Sequence, residues 1–252
     1  MKHIMVWVQH DPTTCTRVGK WRYKDVPDFA IRSLKAQVDN TLYFGQSPED
    51  VYVCTNFDFN YRGVNNYLIK NINTKSAWLN KIIAVHELLS GAIITGQDIW
   101  LHDVDAWQVS PFDYPEGAGD VATPIFYGPG RPHGASVFYR WTGYDIAEEV
   151  YNSVNEERCG GTKNDEIHMK HAYLAYGIKT TDNPDGRWTI LDRAWCATIG
   201  QTAHISKPVR VVHWHPEEHG PEGYTVEKDG WKLVDDRLHE LLKKYDLLTK
   251  LS

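Results

Sequence analysis

A short apolar segment that runs directly into two aspartates places the strongest constraint on how this chain can fold. The segment is 99–102 (IWLH), and Asp103 and Asp105 follow it with one residue between them. If the extended geometry continues, side chains two residues apart point to the same side, so both carboxylates face one way. Adjacent like charges are costly unless a cation or donors neutralise them. Mg²⁺ and Mn²⁺ prefer such oxygen ligands and usually share their site with phosphates, so the pair indicates a cation site at a strand end.

Strand-like and helix-like segments alternate along the rest of the chain. Apolar runs at 3–8 and 51–54 are typical of strands buried in a parallel sheet. Residues 74–89 show helical spacing, with Thr74 or Asn73 expected as the cap and Gly91 as the end. The alternation predicts an α/β fold: one domain, 1–252, with a mostly parallel mixed sheet flanked by helices. Helices are also expected at 27–38, 144–155, 164–176 and, as a C-terminal amphipathic helix, 232–250; further strands are expected at 66–72, 120–125, 135–140 and 209–212.

Composition narrows the function classes. The net charge is -6 without a long basic run, which argues against binding nucleic acid through its phosphates. The N-terminus lacks the apolar region of a signal peptide, and no apolar run approaches the roughly 18 residues that a membrane span needs. A soluble, cytoplasmic protein is therefore expected. Ten tryptophans and 14 tyrosines suit sugar stacking as well as ordinary packing. Free thiols in a reducing compartment are expected at Cys15, Cys54, Cys159 and Cys196.

The order of the motifs resembles that of nucleotide-sugar-dependent glycosyltransferases of the GT-A fold. In that family a DxD motif sits at the end of a sheet strand, as Asp103-Val104-Asp105 does here. The preceding helix with Lys75 and Trp78, a small-residue strand at 134–140 and a late strand ending in His213 also fit. D-x-D alone is frequent by chance, so the ordered set, over about residues 3–220, carries the resemblance. It implies transfer of a sugar from a UDP- or GDP-sugar to an acceptor hydroxyl.

The resemblance also implies a set of cation ligands. Asp103, Asp105 and His213 are expected to hold Mn²⁺ or Mg²⁺ on the diphosphate, where the cation stabilises the charge that develops as the bond to the anomeric carbon breaks. Asp103 has an alternative role as a contact to the sugar or ribose. His215 competes with His213 for the ligand position, and a core histidine bonded to backbone is the alternative for both.

Donor contacts are expected at several strand ends and loops. Ligands of open α/β sheets bind just beyond the carboxyl ends of strands, which places the end of the first predicted strand at the nucleotide. A plain loop is an equally good interpretation there. The expected donor contacts are Val8, Gln9, His10, Lys75, Asp103 and Ser136; Lys207, Arg210 and His219 are further basic candidates for the diphosphate.

A second acidic pair follows a Gly-Gly break and opens a predicted helix. Asp165 and Glu166 occupy its first turn, where acids are also common for capping and helix-dipole reasons. The pair resembles the helix start that GT-A enzymes place beside the donor sugar. In an inverting enzyme Asp165, or secondly Glu166, would be the general base, and in a retaining enzyme it would orient or stabilise the sugar. Asp-Glu stands here in place of the frequent Asp-Gln, which leaves the mechanistic class open.

Two other functions compete with glycosyl transfer. The spacing H-x-H-x₃-H from His213 to His219 is compatible with a zinc or two-metal hydrolase, although that function leaves Asp103 and Asp105 without a role. A non-catalytic sugar-nucleotide-binding module on the same fold is the other. The acceptor is expected to be a glycan or another hydroxyl-bearing molecule; a modified nucleic acid is disfavoured by the net charge.

Overall fold

A mixed β-sheet forms the centre of the protein. The computed structural model describes residues 1–9, 29–125, 131–198, 208–213, 227–228, 231–232 and 235–248. Its strands are β1 (Lys2–Trp7), β2 (Val51–Thr55), β3 (Asn65–Leu68), β4 (Ile99–His102), β5 (Ala106–Gln108), β6 (Val121–Pro124), β7 (Ser136–Tyr139), β8 (Trp188–Leu191), β9 (Ala197–Thr198), β10 (Val211–His213), β11 (Glu227–Lys228) and β12 (Trp231–Lys232).

Seven of these strands form the central sheet in the order β3-β2-β1-β4-β7-β6-β8. Strands β3, β2, β1 and β4 are mutually parallel, β7 is antiparallel to both of its neighbours, and β6 and β8 are parallel. The predicted α/β fold with a mostly parallel, mixed sheet is therefore confirmed.

Helices cover both faces of the sheet. They are α1 (Phe29–Tyr43), α2 (Asn80–Ser90), α3 (Tyr144–Asn155), α4 (Asp165–Tyr176) and α5 (Asp236–Lys244), with short 3-10 turns at Pro48–Asp50, Trp141–Gly143 and Arg193–Trp195. Helices α2, α3 and α4 pack on one face, and α1 and α5 pack on the other. Alternate β1 residues serve the two layers: Ile4 faces α2 and Met5 faces α1. This pattern is that of a strand buried on both sides.

A second, three-stranded sheet lies beside the first. Strand β10 pairs antiparallel with β5 and parallel with β9. The chain passes from β4 through the turn at residues 103–105 into β5, so the small sheet is joined directly to the aspartate pair. The late strand predicted at 209–212 is present as Val211–His213, but it belongs to the three-stranded sheet and not to the central one.

Several predicted boundaries differ for local reasons. Helix α2 begins at Asn80 rather than Thr74 because Asn73 Oδ1 accepts the N–H groups of Lys75 and Ser76, both at 3.0 Å, which holds 74–79 in a turn. Gly91 ends the helix as predicted. Strand β3 stops at Leu68 rather than continuing to Ile72.

The predicted C-terminal helix 232–250 is wrong at both ends, since the helix covers only Asp236–Lys244. Trp231–Lys232 pairs with Glu227–Lys228 instead, and Asp235 caps the shorter helix α5 by accepting the Leu238 N–H at 2.7 Å. Its amphipathic character is confirmed, since Leu238 and Leu242 are buried in the layer that contains α1.

Among the described residues, no helix is both long enough and apolar enough to cross a bilayer. Cys54, Cys159 and Cys196 carry free thiols, whereas Cys15 lies outside the described residues.

Candidate functional site

The strand order reverses between β1 and β4. From β1 the chain moves to β2 and β3 on one side and then crosses to β4 on the other. Ligands of open α/β sheets bind at the carboxyl ends of the strands where the order reverses in this way. Met5 pairs with His102, so Gln9 and Asp103 follow neighbouring strand ends at one edge. The Gln9 backbone exchanges two hydrogen bonds of 2.8 Å with the side chain of Asn56, which follows β2.

Asp103 and Asp105 converge through a turn. Val104 and Asp105 leave the strand, and the Ala106 N–H donates to the Asp103 carbonyl at 3.1 Å. The extended geometry expected for the pair is therefore wrong. The carboxylates nevertheless meet with His213, since one ligand atom from each of the three residues lies within 4.8 Å of the others. Asp105 is buried, whereas the Asp103 side chain is 28% exposed.

His213 reaches the aspartates from the small sheet. It pairs with Ala106 across β10 and β5, which puts its ring beside the turn. Its Nε2 lies 3.3 Å from Oδ1 of Asp105, and the residue is buried. Two carboxylates and an imidazole form a set that could hold a divalent cation and leave positions for phosphate oxygens.

A second set of possible metal ligands, which includes a thiol, shares His213 with the first. Ligand atoms of His133, Cys196 and His213 also lie within 4.8 Å of one another, and all three residues are buried. Burial, together with the charges of Asp103 and Asp105, raises the pKa of the Cys196 thiol well above its usual range. The thiol is therefore protonated at neutral pH, and a metal ligand must be a thiolate.

Lys81 joins the aspartate turn to the second acidic segment. Its Nζ lies 2.7 Å from Asp103 Oδ1 and 2.9 Å from Asp165 Oδ2, and it donates to the Gly134 carbonyl at 2.9 Å. Burial by itself lowers the pKa of Lys81, but Asp103 and Asp165 outweigh burial and raise it above its usual range. Lys81 is thus a buried, permanently charged group between two carboxylates.

Asp165 opens helix α4 but does not cap it. Asn164 is the cap, because its Oδ1 accepts the Glu166 N–H at 2.9 Å. The Asp165 side chain instead points to Lys81 and is only 7% exposed. Gly134 permits this approach, because a Cβ at that position would overlap Asp165 Oδ2. The capping explanation for Asp165 therefore fails.

Glu166 faces the same region with a different partner. Arg131 contacts Glu166 Oε2 through Nε at 2.7 Å and Nη2 at 2.6 Å. Burial and the neighbouring Asp165 raise the pKa of Glu166, while Arg131 opposes that rise. The Arg131 side chain is 40% exposed, so this pair lies toward the solvent side of the acidic segment.

The other predicted site residues lie in different surroundings. Lys75 is 74% exposed and pairs with Glu157 at 3.9 Å, so Lys81 takes the buried place beside the acids. Ser136 is fully buried, and its Oγ accepts from Trp100 Nε1 at 2.9 Å, which gives it a packing role. Val8 is buried beside the exposed Gln9, and Arg210 stacks on Trp195. His10, Lys207, His215 and His219 lie outside the described residues.

Sequence reasoning missed Lys81, Arg131 and His133. One signal was available for Lys81: it shares a helix face with Val85 and Leu88, and a lysine on an apolar face needs a buried counter-charge. Arg131 and His133 sit in a stretch whose Gly and Pro residues suggested only a flexible loop. Nothing in their spacing pointed to the distant Glu166 or His213.

No protein-family model and no curated protein matches the sequence. Solved structures do match the fold. The glycosyltransferase GlyE of Streptococcus pneumoniae TIGR4 aligns with TM-score 0.54 and 12% identity over 98% of this chain and 61% of its own. The apo form of GlyE aligns with TM-score 0.51 and 14% identity over 99% of this chain and 61% of its own. A glycosyltransferase involved in the glycosylation of the major capsid of PBCV-1 aligns with TM-score 0.49 and 13% identity over 84% of this chain and 93% of its own. This chain thus spans about 61% of GlyE, and the likeness to GlyE is one of fold.

Proposed function

We propose that this protein is a cation-dependent glycosyltransferase that moves a sugar from a UDP- or GDP-sugar to an acceptor hydroxyl. One observation carries the proposal: Asp103, Asp105 and His213 meet just beyond the carboxyl end of β4, where the strand order reverses and α/β sheets bind their ligands. The shared fold with GlyE, which is named a glycosyltransferase, supports the same class of reaction.

The residues present fit a hard divalent cation. Two carboxylates and one imidazole match the ligands that Mn²⁺ and Mg²⁺ accept, and these hard cations prefer carboxylate oxygens to the sulfur of the neighbouring Cys196. The charge balance points the same way. Four carboxylates, of Asp103, Asp105, Asp165 and Glu166, stand with two cations, Lys81 and Arg131, so these six side chains carry a formal charge of minus two.

The residues of the site have different roles in the proposed reaction. When bound, the cation supplies positive charge where the leaving diphosphate becomes more negative. Asp103, Asp105 and His213 hold it, and the strand end at Val8 and Gln9 faces the nucleotide. Lys81 keeps the cation site and Asp165 at a fixed separation, because it contacts both Asp103 and Asp165.

Asp165 is the acid that we place beside the reacting carbon. Glu166 next to it is oriented by Arg131, at the more exposed side where an acceptor can enter. Product stereochemistry decides the role of Asp165. Inversion would make it the general base for the acceptor hydroxyl, and retention would make it an orienting group for the donor sugar.

The test is a screen of nucleotide sugars against wild-type protein and Asp105→Asn. We expect Mn²⁺-dependent thermal stabilisation by one UDP- or GDP-sugar, with Mn²⁺-dependent release of the nucleoside diphosphate. Asp105→Asn should lose both while remaining folded. Asp113→Asn removes an exposed carboxylate downstream of β5 and should behave as wild type. Full activity of Asp105→Asn would refute the ligand assignment.

A zinc hydrolase is the second candidate, because His133, Cys196 and His213 offer two nitrogens and a sulfur. One hydrogen bond opposes it. The Ala135 N–H donates to Nδ1 of His133, which puts the proton of the neutral ring on Nε2, so neither ring nitrogen has a lone pair available for a metal while this bond persists. Stoichiometric zinc that survives purification would favour the hydrolase, and readily exchanged manganese favours transfer.

A non-catalytic binding module would bind a nucleotide sugar without cleaving it. Donor-dependent stabilisation without release of nucleoside diphosphate, with any acceptor, would support that function. For the transferase we propose a glycan or another hydroxyl-bearing acceptor, and the net charge of -6 continues to disfavour a modified nucleic acid.

A further inference from the structure

Helix α1 carries a buried amide that contacts the aspartate turn. Gln37 is fully buried, and its Nε2 donates to the carbonyls of Val104 at 2.9 Å and Ala106 at 3.0 Å. These two carbonyls stand on either side of Asp105. A buried amide costs free energy where its polar atoms lack partners. The two bonds satisfy Nε2, whereas Oε1 of Gln37 is buried without a hydrogen-bond partner among the described residues.

The contacts of Gln37 complete a set of bonds that fixes the backbone around Asp105. The peptide group before Asp105 is held through the Val104 carbonyl by Gln37. The peptide group after it is held through the Ala106 N–H, which donates to the Asp103 carbonyl at 3.1 Å. Because both peptide planes are fixed, the direction of the Cα–Cβ bond of Asp105 is fixed as well.

The start of the turn has separate anchors. The Asp103 N–H donates to the Ala135 carbonyl at 3.0 Å, and the Asp103 carbonyl lies 3.1 Å from Nδ1 of His102. The His102 ring is stacked on Trp100, and its Nδ1 is the donor because a carbonyl oxygen can only accept. The main chain and β4 thus hold Asp103, whereas α1 holds Asp105.

We propose that Gln37 is a positioning residue that orients Asp105 for cation binding; this inference rests on the proposed function. Metal–oxygen distances tolerate errors of only about 0.2 Å, so a ligand on a turn needs a rigid backbone. Without the amide, both carbonyls lose their donor and the turn relaxes toward other partners. The carboxylate of Asp105 then occupies a wider range of positions, and cation affinity falls.

Asn40 provides a matched control on the same helix. It lies three residues beyond Gln37, is also fully buried, and its Nδ2 donates to the Gln108 carbonyl at 3.2 Å. It accepts in turn from Arg237 at 2.8 Å. Removing either amide deletes a buried bond between α1 and the β5 segment, but only Gln37 contacts the residues that flank Asp105.

The experiment compares Gln37→Met and Asn40→Leu with the wild-type protein. Both replacements keep the approximate volume and remove the donor. Mn²⁺ dissociation constants come from the electron paramagnetic resonance signal of free Mn²⁺, with and without UDP, and thermal midpoints are measured on the same samples without metal. We expect both variants to lose thermal stability. Only Gln37→Met should bind Mn²⁺ more weakly, by about 10- to 100-fold.

A second variant covers the case in which Gln37→Met does not fold. Gln37→Asn keeps the amide but withdraws it by one methylene, and it should also weaken Mn²⁺ binding. An unchanged dissociation constant in a folded Gln37 variant, or an equal loss in Asn40→Leu, overturns the positioning role while the proposed function stands. Absence of saturable Mn²⁺ binding in the wild-type protein overturns the proposed function, and with it this inference.

Discussion

The replacement Lys81→Met tests the electrostatic arrangement of the site. Methionine keeps the length of the side chain and removes its charge. In the wild-type protein the ammonium contacts Asp103 and Asp165, and it also donates to the Gly134 carbonyl. The lysine side chain is 9% exposed and that of Asp165 is 7% exposed, so water cannot take the place of the lost cation.

The expected loss of stability follows from this burial. Removing one partner of a buried ion pair costs about 3–5 kcal/mol because the remaining charge is left without compensation. Asp103, at 28% exposure, regains part of its hydration, so most of the cost falls on Asp165. For a chain of this size the loss corresponds to a fall of roughly 6–20 °C in the melting temperature.

Urea unfolding at pH 7, followed by circular dichroism, measures this cost. The unfolding free energy of Lys81→Met should be about 3–5 kcal/mol lower than that of the wild-type protein, because the buried Asp165 carboxylate is left without its cation.

Lys75→Met is the matched control. Lys75 is 74% exposed, and its ion pair with the exposed Glu157 is long, at 3.9 Å. This variant should unfold as the wild type does. Equal urea midpoints for Lys81→Met and the wild-type protein at pH 7 would refute the buried bridge. So would a loss of the same size in Lys75→Met.

Two further substitutions test the surroundings of the site. Gly134→Ala adds a methyl group that overlaps Asp165 Oδ2. We expect urea unfolding to show a destabilisation of about 1–3 kcal/mol, and the turnover number to fall. An unchanged turnover number would contradict the close approach of Asp165 to Gly134. His3 is fully buried against Trp100, and burial lowers its pKa well below 6.5. Just below pH 6.5, His3 is therefore protonated in the unfolded chain but neutral in the folded protein. Wild-type stability should therefore fall, relative to His3→Phe, by about 1.4 kcal/mol per pH unit as the pH drops below 6.5, and parallel pH profiles of the two proteins would contradict this.

The sheet and the aspartate edge were predictable because their signals are local. Continuous apolar runs predict β1 and β2, and polar residues directly after β1 and β4 mark the edge where we propose that the ligands bind. The direction of β7 was not predictable, since an isolated strand pattern carries no information about its neighbours. The position of β10 in a separate sheet escaped for the same reason.

Side chains that act across long sequence distances were the hardest to predict. Lys81 contacts residues 22 and 84 positions away, and Gln37 contacts carbonyls 67 and 69 positions away. On a helix, both residue types are usually solvated, so only their place on an apolar face distinguishes them. The resemblance to GT-A enzymes favours Lys75 as part of a helix over 74–89, whereas side-chain bonds from Asn73 hold residues 74–79 in a turn.

The central claim is that Asp103, Asp105 and His213 hold the cation that activates a nucleotide-sugar donor. The most direct measurement is the release of nucleoside diphosphate from a panel of UDP- and GDP-sugars, with Mn²⁺ present or removed by chelation. We predict release from at least one donor in the wild-type protein, loss of release on chelation, recovery when Mn²⁺ is restored, and no release by folded Asp105→Asn. Release that continues at the same rate after chelation, or in Asp105→Asn, would contradict the claim.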